Sequence, residues 1–365
     1  PTENMEAYQF YLRGMEFWHR PGFEIAHFRS AVKFLELALE LDPDFVPALF
    51  ALANINSMLY LTGEEDERIL DKAKALLERA DELEPDHPEV RLAWGYYYYL
   101  GFFDYDRALV EMRAAEKAAP QLFKVPEAIS YVLRRQGNLE EATDYLMRAL
   151  EMDPRNAHLH LNVARNLRSL EDFGEAERHF DQAILLSPEG TNAYWEKAQN
   201  IIAWKGDLAS ARAVLEGSPR PDAPSIITLL ARLDMYEREY ERGITRLRSL
   251  GMEAIEGADD RVNFLIQLGL LQKYAGHEER ARRLFSDGRI KGLAFSQDRP
   301  RQFDIYVHVA FFENELGNLE AVPPNLAKAH ELGDVDKYFR GYWDYVKISY
   351  AINLGDAELA VEEIR

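Results

Sequence analysis

One phrase returns along this chain at a nearly fixed interval. It is an apolar stretch, then an acidic residue, Ser or Ala, then Pro. LALELDP ends at Pro43, RADELEP at Pro85, AAEKAAP at Pro120, RALEMDP at Pro154 and QAILLSP at Pro188. The intervals are 42, 35, 34 and 34 residues. A unit this short cannot bury its own apolar face, so it must stack on its neighbours. A second phrase precedes most of these prolines. It reads Gly137-Asn138-Leu139-Glu140-Glu141-Ala142, then Phe173-Gly174-Glu175-Ala176, with looser copies starting at Gly206, Gly276, Gly317 and Gly355.

Each mark has a physical meaning. Gly with Asn or Asp tolerates the positive φ that ends one helix and turns the chain. The small Ala lets a second helix lie close to the first. Asp-Pro stops that helix, because Pro has no N–H and restricts the residue before it. Between the marks, apolar residues keep helical spacing, as in Leu139, Ala142, Tyr145, Leu146, Ala149 and Leu150. No sustained alternation of Val, Ile and Thr appears, so the fold class expected is all-α.

Composition narrows the function. The chain has 365 residues, 47% of them hydrophobic, which suits a large core and not a disordered chain. Lys and Arg number 43 against 63 Asp and Glu, a formal charge of −20. That argues against nucleic acid or anionic membranes as bulk partners. No cysteine is present, which removes disulfides, thiolate metal sites and Cys nucleophiles, and fits a reducing cytoplasm. A periplasmic location would follow only from a membrane-anchored regulator. The most apolar stretches, 46–61 and 92–103, are too polar or too short to insert in a membrane. The acidic opening lacks the basic-then-apolar order of a signal peptide. A chain starting at Pro1 is expected to be processed, or cut from something longer.

The repeat resembles the tetratricopeptide repeat (TPR), a helix–turn–helix of 34 residues. In the unit ending at Pro188, Ala157, Ala164, Ala176, Phe180 and Ala183 match the pattern's small and aromatic positions. The resemblance implies a right-handed superhelical solenoid of about ten repeats. Residues 1–217 would form one sub-array of about six repeats. The Pro-rich stretch 218–225 would connect it to a more degenerate sub-array, 226–365. An acidic insertion at 62–68, an irregular stretch from Gly288 to Arg301, and a late helix start at Pro323-Pro324 are the expected departures. At the front, Ala7-Tyr8-Gln9-Phe10-Tyr11-Leu12-Arg13-Gly14 with Phe17-Trp18 resembles the C-terminal TPR region of bacterial TolB-like regulators. Those arrays follow a nucleotide cyclase, kinase or winged-helix domain. The resemblance implies a sensor or scaffold.

Phosphate-binding glycine loops, the GxSxG elbow and the HExxH metal motif are all missing from the sequence. His158 and His160 point apart on a helix, so neither a metal nor a cofactor is expected, and no enzyme activity. The TPR pattern instead implies a concave wall built from the first helix of each repeat. Carried over, its positions give Tyr96 and Tyr99, then Tyr131, Arg134 and Arg135. Next come His158, Asn162, Arg165 and Arg168, then Asn192, Trp195 and Gln199. Glu127 and Glu196 fall on the same wall, where they occupy slots of the family's carboxylate clamp that require other residues; the clamp is therefore absent. Two readings of the arginines stay open: a positive stripe facing the ligand, or arginines that pair with neighbouring Glu and Asp or sit at a helix C-terminus, where positive charge is favoured. The expected partner is a protein or peptide with acidic and apolar character. A scaffold that self-associates through its terminal repeats, and a small-molecule sensor, are the alternatives.

Overall fold

The computed structural model describes residues 2–20, 25–62, 67–255, 257–300 and 302–333, with residues 346, 347, 351 and 353. Residues 63–66 of the acidic insertion lie outside them. Among the described residues the regular structure is helical, and no strand occurs. The chain divides into two compact units, Pro1–Pro221 and Asp222–Arg365.

The first unit is built from helix pairs. These are α1 (Met5–Trp18) with α2 (Ile25–Leu41), α3 (Val46–Leu61) with α4 (Arg68–Leu83), and α5 (Pro88–Phe102) with α6 (Tyr105–Ala118). They continue as α7 (Lys124–Arg135) with α8 (Leu139–Met152), α9 (Ala157–Ser169) with α10 (Phe173–Leu186), and α11 (Thr191–Lys205) with α12 (Leu208–Glu216). Each second helix also packs on the first helix of the next pair through α10 and α11, so the core runs from pair to pair. Ala142, Ala176, Phe180 and Ala183 are buried at these contacts.

The turns follow the punctuation, with one change. Gly137 has φ +83°, and the next amide, Asn138 N–H, closes the helix end on the Leu133 carbonyl. In the following pair the left-handed residue is Glu171, at φ +63°, and Asp172 N–H bonds Leu167 in the same way. Gly174 lies inside α10. The glycine of that phrase is thus a helical residue, and the turn forms without one. At the other end, Asp153-Pro154 stops α8. Asn156 then caps α9 by accepting from the amides of His158 and Leu159.

The second unit repeats the plan. It pairs α13 (Pro224–Tyr236) with α14 (Tyr240–Leu250), α15 (Ala258–Tyr274) with α16 (Glu278–Asp298), and α17 (Phe303–Leu316) with α18 (Val322–Gly333). The expected irregular stretch from Gly288 is corrected here, because α16 runs unbroken to Asp298. Its glycines serve packing: a Cβ on Gly288 would come 2.2 Å from Phe312, and one on Gly292 would come 3.0 Å from Val309. Pro323 and Pro324 sit in the first turn of α18, where a missing N–H costs nothing.

Residues 217–223 join α12 to α13 without helix, and Pro219–Asp222 is exposed. A Glu-specific protease is expected to cut first after Glu216, giving two long-lived fragments by mass spectrometry. A first cut inside α7–α10 would count against two separable units.

Candidate ligand-binding site

The first helices α5, α7, α9 and α11 carry the polar and aromatic side chains that the TPR pattern placed on one wall. Their geometry centres on the Tyr131 hydroxyl. It lies 2.7 Å from Glu127 Oε1, 3.0 Å from His158 Nε2 and 3.0 Å from Asn162 Nδ2. Asn162 is buried, and its orientation is fixed by its neighbours. Its Nδ2 also donates to the His158 carbonyl at 2.9 Å, while its Oδ1 accepts from Arg165 Nη1 at 3.3 Å. Arg165 can only donate, so the amide oxygen must face it and the amide nitrogen must face Tyr131.

Arg165 in turn is held by the next helix. Its Nε donates to Glu196 Oε1 at 2.6 Å, and Arg168 Nη2 sits 2.7 Å from Glu196 Oε2. Arg168 Nη1 also donates to the Glu196 carbonyl at 3.1 Å. Burial pushes the Glu196 carboxyl up, but the two guanidinium charges outweigh it and hold its pKa below the usual carboxylate range. Of the two readings open for the arginines, ion pairing holds at these two positions: Arg165 and Arg168 are two arms of a partly buried ion triad, not a free positive stripe.

The other candidates fall in different places. Tyr96 is half-buried near Glu127. Tyr99 is corrected to the core, 7% exposed and packed by Tyr105, with its hydroxyl accepting from Arg135 Nε at 3.3 Å. Arg134 places its guanidinium 5.7 Å from the Tyr131 ring centre. Asn192, Trp195 and Gln199 are half-buried along α11. His158 and His160 do face different partners: His160 meets His179, ring nitrogen to ring nitrogen, at 3.0 Å. Among the described residues, no group of three or more His, Asp or Glu could hold a metal ion. No described helix is long and apolar enough to cross a membrane.

Glu127 and Glu196 are the residues to which the sequence gave no role. Position alone put them on the wall; partners 4 and 31 residues away give them meaning. Glu127 is only 12% exposed, and its ion-pair partner is the neutral-leaning His158, at 3.6 Å. Burial lifts its pKa to about 7, although the Tyr131 hydrogen bond and Lys124 pull the other way. His158 is 61% exposed at its side chain; desolvation, then the Arg165 and Arg134 charges, lower its pKa. The sign for stability follows. A raised carboxylate favours the fold below its unfolded pKa and loses that advantage as pH rises through 7. Glu127→Gln cannot ionise, so the variant is expected to gain on the wild type between pH 5 and pH 8, by up to roughly 3 kcal/mol. Denaturant unfolding at the two pH values measures this, and an equal difference at both would contradict it.

Residues 133–201 match the family model described as tetratricopeptide repeat. The stretch runs from the end of α7 through α11 and so spans Asn162, Arg165 and Glu196. A comparison with curated proteins found no match. Among solved structures, the chain is similar to a monomeric IFIT1 mutant with m7Gppp-AAAA. That likeness has 14% identity and a TM-score of 0.54, and covers 89% of this chain and 71% of that one. It is also similar to PilW, a widely conserved type IV pilus biogenesis factor, at 18% identity and TM-score 0.47, over 62% of this chain and 99% of that one. A third is TTC0263, a thermophilic TPR protein of Thermus thermophilus, at 16% identity and TM-score 0.46, over 54% and 99%. At such identities the likeness concerns the fold, an all-α solenoid of TPR helix pairs.

Proposed function

We propose that this chain is a non-enzymatic protein-binding module that holds a peptide of acidic and apolar character across α5, α7, α9 and α11. On this reading it is the sensor or scaffold part of a bacterial signalling protein. The observation that carries the reading is the chain of bonds from Tyr131 through Asn162 and Arg165 to Glu196. It locks side chains of three successive first helices into one prepared surface, which lowers the ordering cost of binding. Lys124, Arg134, Arg135, Arg165 and Arg168 outnumber Glu127 and Glu196 there, so the local field favours an anionic ligand inside an acidic chain. Tyr96 and Trp195 supply half-buried aromatic area for its apolar residues.

The test is an array of acidic peptides read by fluorescence anisotropy. Arg134→Ala and Trp195→Ala are each expected to weaken the best binder about tenfold while helicity is kept. Unchanged profiles for two folded variants would move the site elsewhere.

A second reading has its own observation. On α1, Met5, Tyr8 and Leu12 are exposed at helical spacing. This stripe supports self-association through the first repeat. Light scattering at high concentration tests it, with Leu12→Glu expected to abolish any dimer.

A further inference from the structure

The Tyr131 hydroxyl has one hydrogen and two acceptor positions, and it has three partners. Asn162 always donates to it, because Arg165 and the His158 carbonyl fix that amide. Two arrangements satisfy the rest. With Glu127 ionised, Tyr131 donates to Glu127 and accepts from His158 Nε2–H, so His158 Nδ1 bears a lone pair. With Glu127 protonated, Glu127 donates to Tyr131, Tyr131 donates to His158 Nε2, and His158 carries its proton on Nδ1. The two are linked by one proton. It enters from water at Nδ1, the Nε2 proton passes to Tyr131, and the Tyr131 proton passes to Glu127. His158 lies on the exposed wall, and its Nδ1 has no hydrogen bond among the described residues.

We infer that Glu127, Tyr131 and His158 form a proton relay that sets which group this wall offers its ligand: a protonated Glu127 makes His158 Nδ1 a donor for a carboxylate of an acidic peptide. The inference rests on the groove reading above and names the contact it uses. The groups acting on the trio are Lys124 and Arg134 on α7, Tyr96 on α5, Asp153 at the end of α8 and Arg165 on α9. Three of these five are cations, which favours the arriving carboxylate and keeps His158 from holding two protons. The carboxylate of Glu127 titrates near neutrality, so the relay turns over in an accessible pH range.

The experiment has two arms. Nitrogen NMR of imidazole-labelled protein, with His158 assigned from a His158→Gln variant, reads the tautomer between pH 5.5 and 8.5 (roughly the range around neutrality). The wild type is expected to move from Nε2–H to Nδ1–H as pH falls, while Glu127→Gln and Tyr131→Phe stay fixed. Anisotropy with Asp- and Glu-rich peptides, and their Asn and Gln counterparts as controls, forms the second arm. Acidic peptides are expected to bind the wild type about tenfold tighter at pH 6 than at pH 8, and Glu127→Gln equally at both. A fixed tautomer in the wild type, or a doubly protonated His158 at pH 6, overturns the relay whatever binds. Acidic peptides that bind equally at both pH values overturn it and leave the groove reading standing. No binding of any peptide by folded protein overturns both.

Discussion

Replacing Glu196 by alanine is expected to destabilise the protein by about 3–5 kcal/mol, because it strands two guanidinium groups in a partly buried site. Arg165 and Arg168 are 22% and 18% exposed at their side chains, and Glu196 is 6% exposed. In that setting the attraction is weakly screened, and so is the repulsion left when one member is removed. Arg165→Glu should be worse than Arg165→Ala, since it puts a second carboxylate beside the first. The contrast lies in replacing the whole triad. Exchanging Glu196, Arg165 and Arg168 together for Leu or Met removes the charges with their desolvation cost, and is expected to fall within about 1–2 kcal/mol of the wild type. Denaturant unfolding of the single and triple variants measures both. A single Glu196→Ala loss below 1 kcal/mol (roughly the worth of a surface pair) would show that the triad is solvated.

The triad also decides how binding experiments are read. Any loss of ligand in Arg165→Glu mixes a missing contact with a disturbed wall, because Arg165 orients Asn162 and Asn162 orients Tyr131. Arg134 lies over the Tyr131 ring but is not a link between Tyr131, Asn162, Arg165 and Glu196, so its loss disturbs the wall less than that of Arg165 and it serves as the binding probe.

The repeat punctuation was legible because it is local. Asp153-Pro154 and Gly137-Asn138 act on their own backbone, and α8 begins and ends where they dictate. The wall positions came from the TPR resemblance, which says which helix carries them but not what each side chain meets. That the arginines could pair with carboxylates was one reading of the sequence; which carboxylate they meet was not legible. Arg165 and Arg168 meet Glu196 from about thirty residues away, and nothing in the sequence distinguishes this carboxylate from its neighbours. Tyr99 could not be separated from Tyr96 by spacing alone, since four successive tyrosines cover every side of α5. Glu171 escaped notice for another reason: a non-glycine residue accepts the left-handed turn when the helix-end hydrogen bond and the following cap at Asp172 are already in place. Gly288 was misread because glycine weakens an isolated helix, whereas here tertiary contact overrides that preference.

That override gives the second large effect. Phe312 is fully buried in the core of the second unit, its ring lying against Gly288 and 6.4 Å from the ring centre of Phe285. Phe312→Ala is expected to cost about 3–5 kcal/mol through lost contact and the cavity left behind. Gly288→Ala should raise helix propensity by roughly 0.5–1 kcal/mol. In the wild type that gain is overwhelmed, because the new Cβ falls 2.2 Å from the ring tip and the neighbouring α17 must shift. A net loss of about 1–2 kcal/mol is expected, in the range of overpacked cores. With Phe312→Ala already made, the obstacle is gone, the same Gly288→Ala fills part of the cavity, and its sign should reverse to a gain. A double-mutant cycle by denaturant unfolding therefore predicts strong favourable coupling between two positions 24 residues apart. Additive losses would mean that Gly288 is tolerated for its backbone alone, and that α16 and α17 do not meet through this ring.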